Sequence, residues 1–172
     1  MLVSGDGAAT PGGRVHILDW ASKKQTHVCR ATFSAELFAL LDSANAALKL
    51  SAVIAELYWG STTAAALAQA QEEGKLPIPL HVCCDAYSVV SAIQGTGPVK
   101  ASEAHLAIHL LKMREWLKRG IIRALWWTDT RDMIADGLTK GKLSREAILF
   151  ISEHGLWKLA HQPLRVPPAA VQ

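Results

Sequence analysis

The apolar run Leu-His-Val-Cys-Cys, residues 80–84, is followed directly by Asp85. A short and nearly continuous apolar run is typical of a strand that is buried on both faces of a sheet. Such a strand needs helices packed on the sheet. The run therefore predicts an α/β fold, with Asp85 at the carboxyl end of a buried strand.

Periodic segments extend on both sides of this strand. Upstream, we expect strands at 14–20 and 26–32, a long core helix from Phe33 toward Tyr58 with Ser34 as its N-cap, and a helix that ends before Gly74. The elements expected downstream are a helix at 86–93, an amphipathic helix at 102–118, a strand at 121–127, and helices at 132–138 and 144–154. This order indicates a mixed sheet with helices packed on it.

Composition indicates one globular domain. The chain has 172 residues, of which 50% are hydrophobic and 19% charged, and this balance excludes disorder along the whole chain. We assign 1–155 to the domain and 156–172 to a proline-containing tail, extended or disordered from about residue 162. Polar residues interrupt every apolar stretch, and the first residues lack a secretory profile, so we expect an intracellular protein without a membrane span.

Basic side chains cluster although the formal net charge is only +3. The clusters are Lys112, Arg114, Lys118, Arg119 and Arg123, and then Lys140, Lys142 and Arg145. A solvated helix face and a surface for nucleic-acid phosphates both account for such clusters, and the sequence leaves both open. Trp126 and Trp127 could stack on bases, but tryptophan in a strand is more often a core residue.

Three carboxylates fall where predicted elements begin or end: Glu36, Asp85 and Asp136. Each has a structural explanation, since Glu36 could oppose the helix dipole, Asp85 could cap the next helix, and Asp136 could be an exposed acid. Against this, Glu36 shares a helix face with Leu40 and Ala44, where an idle carboxylate is costly. Acids that converge at the end of a strand suit divalent cations, and two ions roughly 3.5–4 Å apart could cleave a phosphodiester.

Four motifs resemble, in order, those of the RNase H domain of copia-type retrotransposon polyproteins. They are WASKKQ at 20–25, TFSAE at 32–36, CDAYSVVSAI at 84–93 and ADGLTK at 135–140. The motifs span most of the chain, from Trp20 to Lys140. Ala86 stands where the family commonly has Asn.

The resemblance implies an RNase H-like mixed β-sheet flanked by helices, in a domain associated with a reverse transcriptase. It implies hydrolysis of the RNA strand of RNA–DNA hybrids by two Mg²⁺ ions, with Glu36, Asp85 and Asp136 as metal ligands and catalytic acids. The hybrid backbone would be held by Lys112, Arg114, Lys118, Arg119, Arg123 and Lys140. The implied partners are the hybrid and the reverse transcriptase portion of the same polyprotein, with no membrane.

The family's fourth acid lies on a first strand that we expect to be missing. Three strands before the helix need roughly 30–40 residues, whereas 35 residues precede Glu36 and two strands already occupy 13–32. Asp6 and Asp19 do not match the family position. Two other interpretations follow: a binding remnant that no longer cleaves, and a module that pairs its open sheet edge with the rest of the polyprotein.

Overall fold

The computed structural model describes residues 2–4, 11–21, 32–60, 63–75, 77–95, 106–139, 146–161 and 163–166. The elements in chain order are β1 (Leu2–Ser4), β2 (Gly12–Ile17), α1 (Thr32–Trp59), α2 (Ala64–Glu72), β3 (His81–Cys84), α3 (Tyr87–Gln94), α4 (Ala107–Lys118), β4 (Ala124–Trp127), α5 (Ile134–Thr139), α6 (Glu146–His154), β5 (Leu156–Lys158) and β6 (Leu164–Val166). Two compact units result. The first comprises Met1–Thr26 and Thr128–Leu164, and the second His27–Trp127 and Arg165–Gln172.

Helix α1 forms the core of the second unit together with α3 and α4. Its buried residues recur every three or four positions, as predicted, and include Leu37, Leu41, Ala44 and Leu48. The helix begins at Thr32, so Ser34 lies buried within its first turn and does not act as an N-cap.

By length and composition alone, α1 is also apolar enough to cross a membrane, the one such helix among the described residues. Its buried stripe packs inside the second unit, against α3 and α4. Charged Asp42, Lys49 and Glu56 lie on its exposed side. This arrangement is that of a core helix in a folded domain.

The sheet of the second unit has the strand order β3-β4-β6. Strands β3 and β4 run parallel, with Cys84 opposite Trp127. Val82 and Leu125 are buried beneath α1, α3 and α4, and Trp126 is only 5% exposed, which confirms its expected core position. A parallel pair covered by helices confirms the α/β class.

The sheet of the first unit has the order β1-β2-β5, and both pairs are antiparallel. Helix α6 packs on β2 and β5, and α5 packs on α6. Strands β5 and β6 fall within the expected tail 156–172, where no strand was predicted. The single sheet that we expected is, in the described part of the chain, two three-stranded sheets. Residues 26–31 of the strand predicted at 26–32 lie outside the described residues, and Thr32 is already helical.

Candidate functional site

Asp85 follows β3 directly and is half-buried. It does not cap the next helix, because Ala86 occupies the N-cap position of α3 and no side chain bonds there. The backbone carbonyl oxygen of Asp85 accepts a hydrogen bond of 3.0 Å from the indole Nε1 of Trp127 at the end of β4. The main chain at Asp85 is thus fixed to the carboxyl ends of both parallel strands, and its carboxylate is not used as a helix cap.

Glu36 is also half-buried and lies on α1 in the same unit. The first turn of α1 contains no acidic residue, so a favourable position at the helix dipole does not explain Glu36. Leu40 and Ala44, which follow on its face, are buried as predicted. Glu36 therefore sits on the core-facing stripe of the helix.

The buried thiol of Cys84 brings the two acids together. Burial is the main cause that raises the pKa of Cys84 to about 11, and the charges of Asp85 and Glu36 add to the shift. A backbone hydrogen bond with Ala86 acts in the opposite direction and lowers the pKa of Cys84. Both carboxylates therefore lie within electrostatic range of the same thiol.

Two half-buried carboxylates fit Mg²⁺, which commonly binds through one or two carboxylates plus water and substrate phosphates. Among the residues that the structure describes, no three His, Cys, Asp or Glu side chains group closely enough for a metal site built from protein alone. With a raised pKa, the Cys84 thiol stays protonated near neutral pH in the metal-free protein. The two carboxylates offer oxygen atoms, which favour a hard cation over zinc.

Asp136 lies in the first turn of α5, in the other unit. Its side chain is half-buried, and its position opposes the dipole of that short helix. Its grouping with Glu36 and Asp85 stays a prediction from the motif. Asp19 is exposed beyond the end of β2, and Asp6 lies outside the described residues.

Two of the predicted nucleic-acid contacts have structural roles. The guanidinium of Arg114 donates to the carbonyl oxygens of Ala92, at 2.8 Å, and Ile93, at 3.2 Å, near the end of α3. Arg119 donates to the Glu72 carbonyl oxygen at the end of α2. Such guanidinium bonds satisfy carbonyls that a helix end leaves unpaired.

The other predicted contacts lie at the surface or outside the described residues. Lys112 holds its ammonium 4.5 Å from the ring centre of Trp116. Lys118 and Arg123 are exposed, and Lys140 lies outside the described residues.

Sequence reasoning missed a buried carboxylate in the first unit. Asp132 accepts hydrogen bonds from the backbone N–H groups of Ala160, at 3.0 Å, and His161, at 2.8 Å, and its other oxygen lies 2.9 Å from His161 Nδ1. It ties the turn at 130–132 to the segment that follows β5. These partners are 28 and 29 residues away, so no local pattern could have indicated them.

We expect Asp132→Ala to lower the free energy of unfolding by about 2–3 kcal/mol, because two partly buried N–H groups lose their charged acceptor. Urea unfolding followed by circular dichroism measures this loss. His161→Ala is the matched control, since it removes one contact and leaves both N–H bonds in place. An equal loss in the two variants would contradict the role assigned to the carboxylate.

The two thiols of β3 are expected to resist alkylation in the folded protein. Burial raises the pKa of Cys83 to about 12, with the neighbouring Cys84 as a smaller cause. At pH 8 the thiolate population of both should fall by about 100-fold or more relative to an ordinary cysteine. Iodoacetamide labelling read by peptide mass spectrometry, with and without urea, tests this, and equal rates in both conditions would contradict it.

The functional assignment rests on these residues and their geometry. No family model, curated protein or solved structure matched the chain.

Proposed function

We propose that this chain is an RNase H-type ribonuclease domain of a retrotransposon polyprotein, which hydrolyses the RNA strand of RNA–DNA hybrids. The observation that supports this most is that the charges of Glu36 and Asp85 both act on one buried thiol at the carboxyl end of a parallel strand pair. These are two of the three acids that the motifs single out. Ligand sites in α/β sheets lie at this end of the strands.

Glu36 and Asp85 would hold Mg²⁺, with Asp136 as the third acid. When bound, the metal would supply an activated water and stabilise the leaving oxygen of the phosphodiester. The chain's own residues prepare the site. Trp127 fixes the main chain of Asp85, and α1 places Glu36 on its core-facing stripe, so the backbone at both acids is fixed before a cation arrives.

A hybrid-binding domain without hydrolysis is the second candidate. It is favoured because, in the described part of the chain, no three His, Cys, Asp or Glu side chains group closely enough to hold a metal ion. Too few ligands weaken metal affinity and leave the acids repelling one another. The same domain could then serve the reverse transcriptase portion of the polyprotein by binding alone.

Cleavage of an RNA–DNA hybrid with a labelled RNA strand, in Mg²⁺ and in EDTA, tests the proposal. Two proteins are compared: the chain as it stands, and the chain extended at its N-terminus by a strand that carries an Asp. A DNA duplex of the same sequence is the substrate control. Mg²⁺-dependent cleavage by either protein supports the ribonuclease. Binding without cleavage by both supports the second candidate, and neither binding nor cleavage overturns both.

A further inference from the structure

A second polar cluster lies at the amino end of β3, in the same unit as Glu36 and Asp85. We call it the Trp126 cluster; it comprises His81, Arg123, Trp126 and Arg165. The indole Nε1 of Trp126 donates to His81 Nδ1 at 3.1 Å, and the two rings are nearly parallel, at 15°, with centroids 6.3 Å apart. Because Nδ1 accepts this bond, the imidazole is neutral and carries its proton on Nε2.

Two exposed arginines flank this pair of rings. The guanidinium carbon of Arg165 lies 6.0 Å from the ring centre of Trp126. Arg123 precedes β4, and its backbone N–H donates to the Leu80 carbonyl oxygen at 2.8 Å, which places it beside the start of β3. Burial, and then the positive charges of Arg165 and Arg123, lower the pKa of His81. Both arginines therefore act on the same imidazole.

The positive charge of the cluster is not balanced locally. Within the ranges that the structure describes, no carboxylate forms an ion pair with Arg123 or Arg165, whereas Arg131 pairs with Asp129 at 2.8 Å. Both arginine charges act on one neutral imidazole, and an anion bound beside it would offset this positive charge. A phosphate is the natural match for the planar guanidinium fork.

The burial of Trp126 excludes base stacking at this cluster and leaves phosphate contacts as the mode of binding. Its ring is only 5% exposed, so no base can stack on it. The exposed parts of the cluster are hydrogen-bond donors. The cluster thus fits the backbone of a nucleic acid, which is contacted without regard to sequence.

We propose that Arg123 and Arg165, with the Nε2–H of His81 as a third donor, bind a backbone phosphate of the nucleic acid. Four residues of strand at about 3.3 Å each separate His81 from Asp85, so this contact lies about 13 Å from the acids along β3. The choice of a nucleic acid as the ligand rests on the proposed function. The surface would hold the strand while the acids act at the other end of β3.

The test measures binding of a fluorescent RNA–DNA hybrid by anisotropy in EDTA, between 50 and 200 mM salt. The double variant Arg123→Gln/Arg165→Gln should weaken binding about tenfold or more at 100 mM salt. It should also lower the salt slope by about two, one for each arginine that no longer neutralises phosphate charge. Lys49→Gln/Lys75→Gln removes the same charge from exposed positions elsewhere in the unit and should leave the slope unchanged. Equal effects in the two double variants would overturn the proposal.

A separate variant tests the contribution of His81 to binding. His81→Asn keeps an acceptor for the indole of Trp126 and removes the Nε2–H donor. We expect binding to weaken about two- to tenfold, the value of one hydrogen bond. An unchanged affinity would remove His81 from the contact.

Two further measurements separate the possible ligands and the two proposals. Inorganic phosphate and anionic phosphatidylserine vesicles are each tested as competitors of the hybrid. If the vesicles displace the hybrid from the wild type, and the double variant does not bind the vesicles, the surface binds lipid and the nucleic-acid contact is overturned. Cleavage is measured on the same proteins. Arginine-dependent binding without cleavage supports this inference and counts against the ribonuclease, whereas cleavage with arginine-independent binding does the reverse. Failure of both the wild type and the extended chain to bind the hybrid overturns both proposals.

Discussion

Asp85→Asn is expected to lower the rate of hybrid cleavage by at least about 100-fold in Mg²⁺, in whichever form of the chain cleaves. The substitution keeps the shape of the side chain and removes one negative charge from the proposed pair of metal-binding carboxylates. Loss of a group that only supports a ligand commonly costs 10–100-fold, so loss of a ligand itself costs more. The fold is expected to survive, because Trp127 bonds to the backbone oxygen of Asp85 and not to its carboxylate.

Glu36→Gln should cause a loss of similar size. The double variant should be little worse than either single variant, because residues that hold one metal site act as a unit. Asp42→Asn is the matched control, since it removes an exposed carboxylate from the same helix. A cleavage rate within twofold of wild type in Asp85→Asn would remove this acid from the site.

A readout that needs no activity checks the geometry itself. Since the charges of Asp85 and Glu36 both raise the pKa of Cys84, removal of either charge should increase the thiolate population. Alkylation of Cys84 should then be faster in Glu36→Gln and Asp85→Asn than in wild type. Asp42→Asn should label at the wild-type rate. Unchanged labelling in all three would show that the acids do not approach the thiol.

The elements of the second unit were predictable where the pattern is long or dense. The stripe of α1 repeats over many turns, and the apolar runs of β3 and β4 leave little alternative to buried strands. The helix start was less certain, because the helix begins at Thr32 and tertiary packing buries Ser34, the predicted cap. Asp85 illustrates the same limit: a cap and a ligand look identical in sequence until the backbone shows that Ala86 takes the cap position.

Long-range pairing was not predictable. Strands β5 and β6 have three residues each, which is too short for an alternating pattern of apolar and polar residues to be recognised. Their partners β2 and β4 are distant in sequence. The guanidinium of Arg114 binds two carbonyl oxygens near the end of α3, which lie 21 and 22 residues earlier in the chain. A basic cluster that could be a phosphate-binding surface is therefore in part structural. Basic charge alone does not distinguish a helix cap from a phosphate contact.

Gly74→Ala is expected to release α2 from the rest of the second unit. Gly74 has a φ of +65°, and a Cβ at this position would overlap the backbone carbonyl oxygen of Arg119. The left-handed conformation costs an alanine about 1 kcal/mol, and the overlap with a backbone atom adds about 1–3 kcal/mol. No residue of α2 is buried, so little apolar contact holds this helix in place.

The strain therefore exceeds what keeps α2 in place, and the helix should move before the core does. Hydrogen exchange of the amides in 64–72 should become at least about 10-fold faster, while amides of β3 and α4 keep their protection. Gly60→Ala is the matched control: it has a φ of +87° but nothing within 4 Å of the added Cβ, so it carries the conformational cost without the overlap. Equal exchange rates in both variants would mean that the positive φ of Gly74 alone causes the effect. The overlap of the added Cβ with the Arg119 carbonyl oxygen would then not contribute to the release of α2.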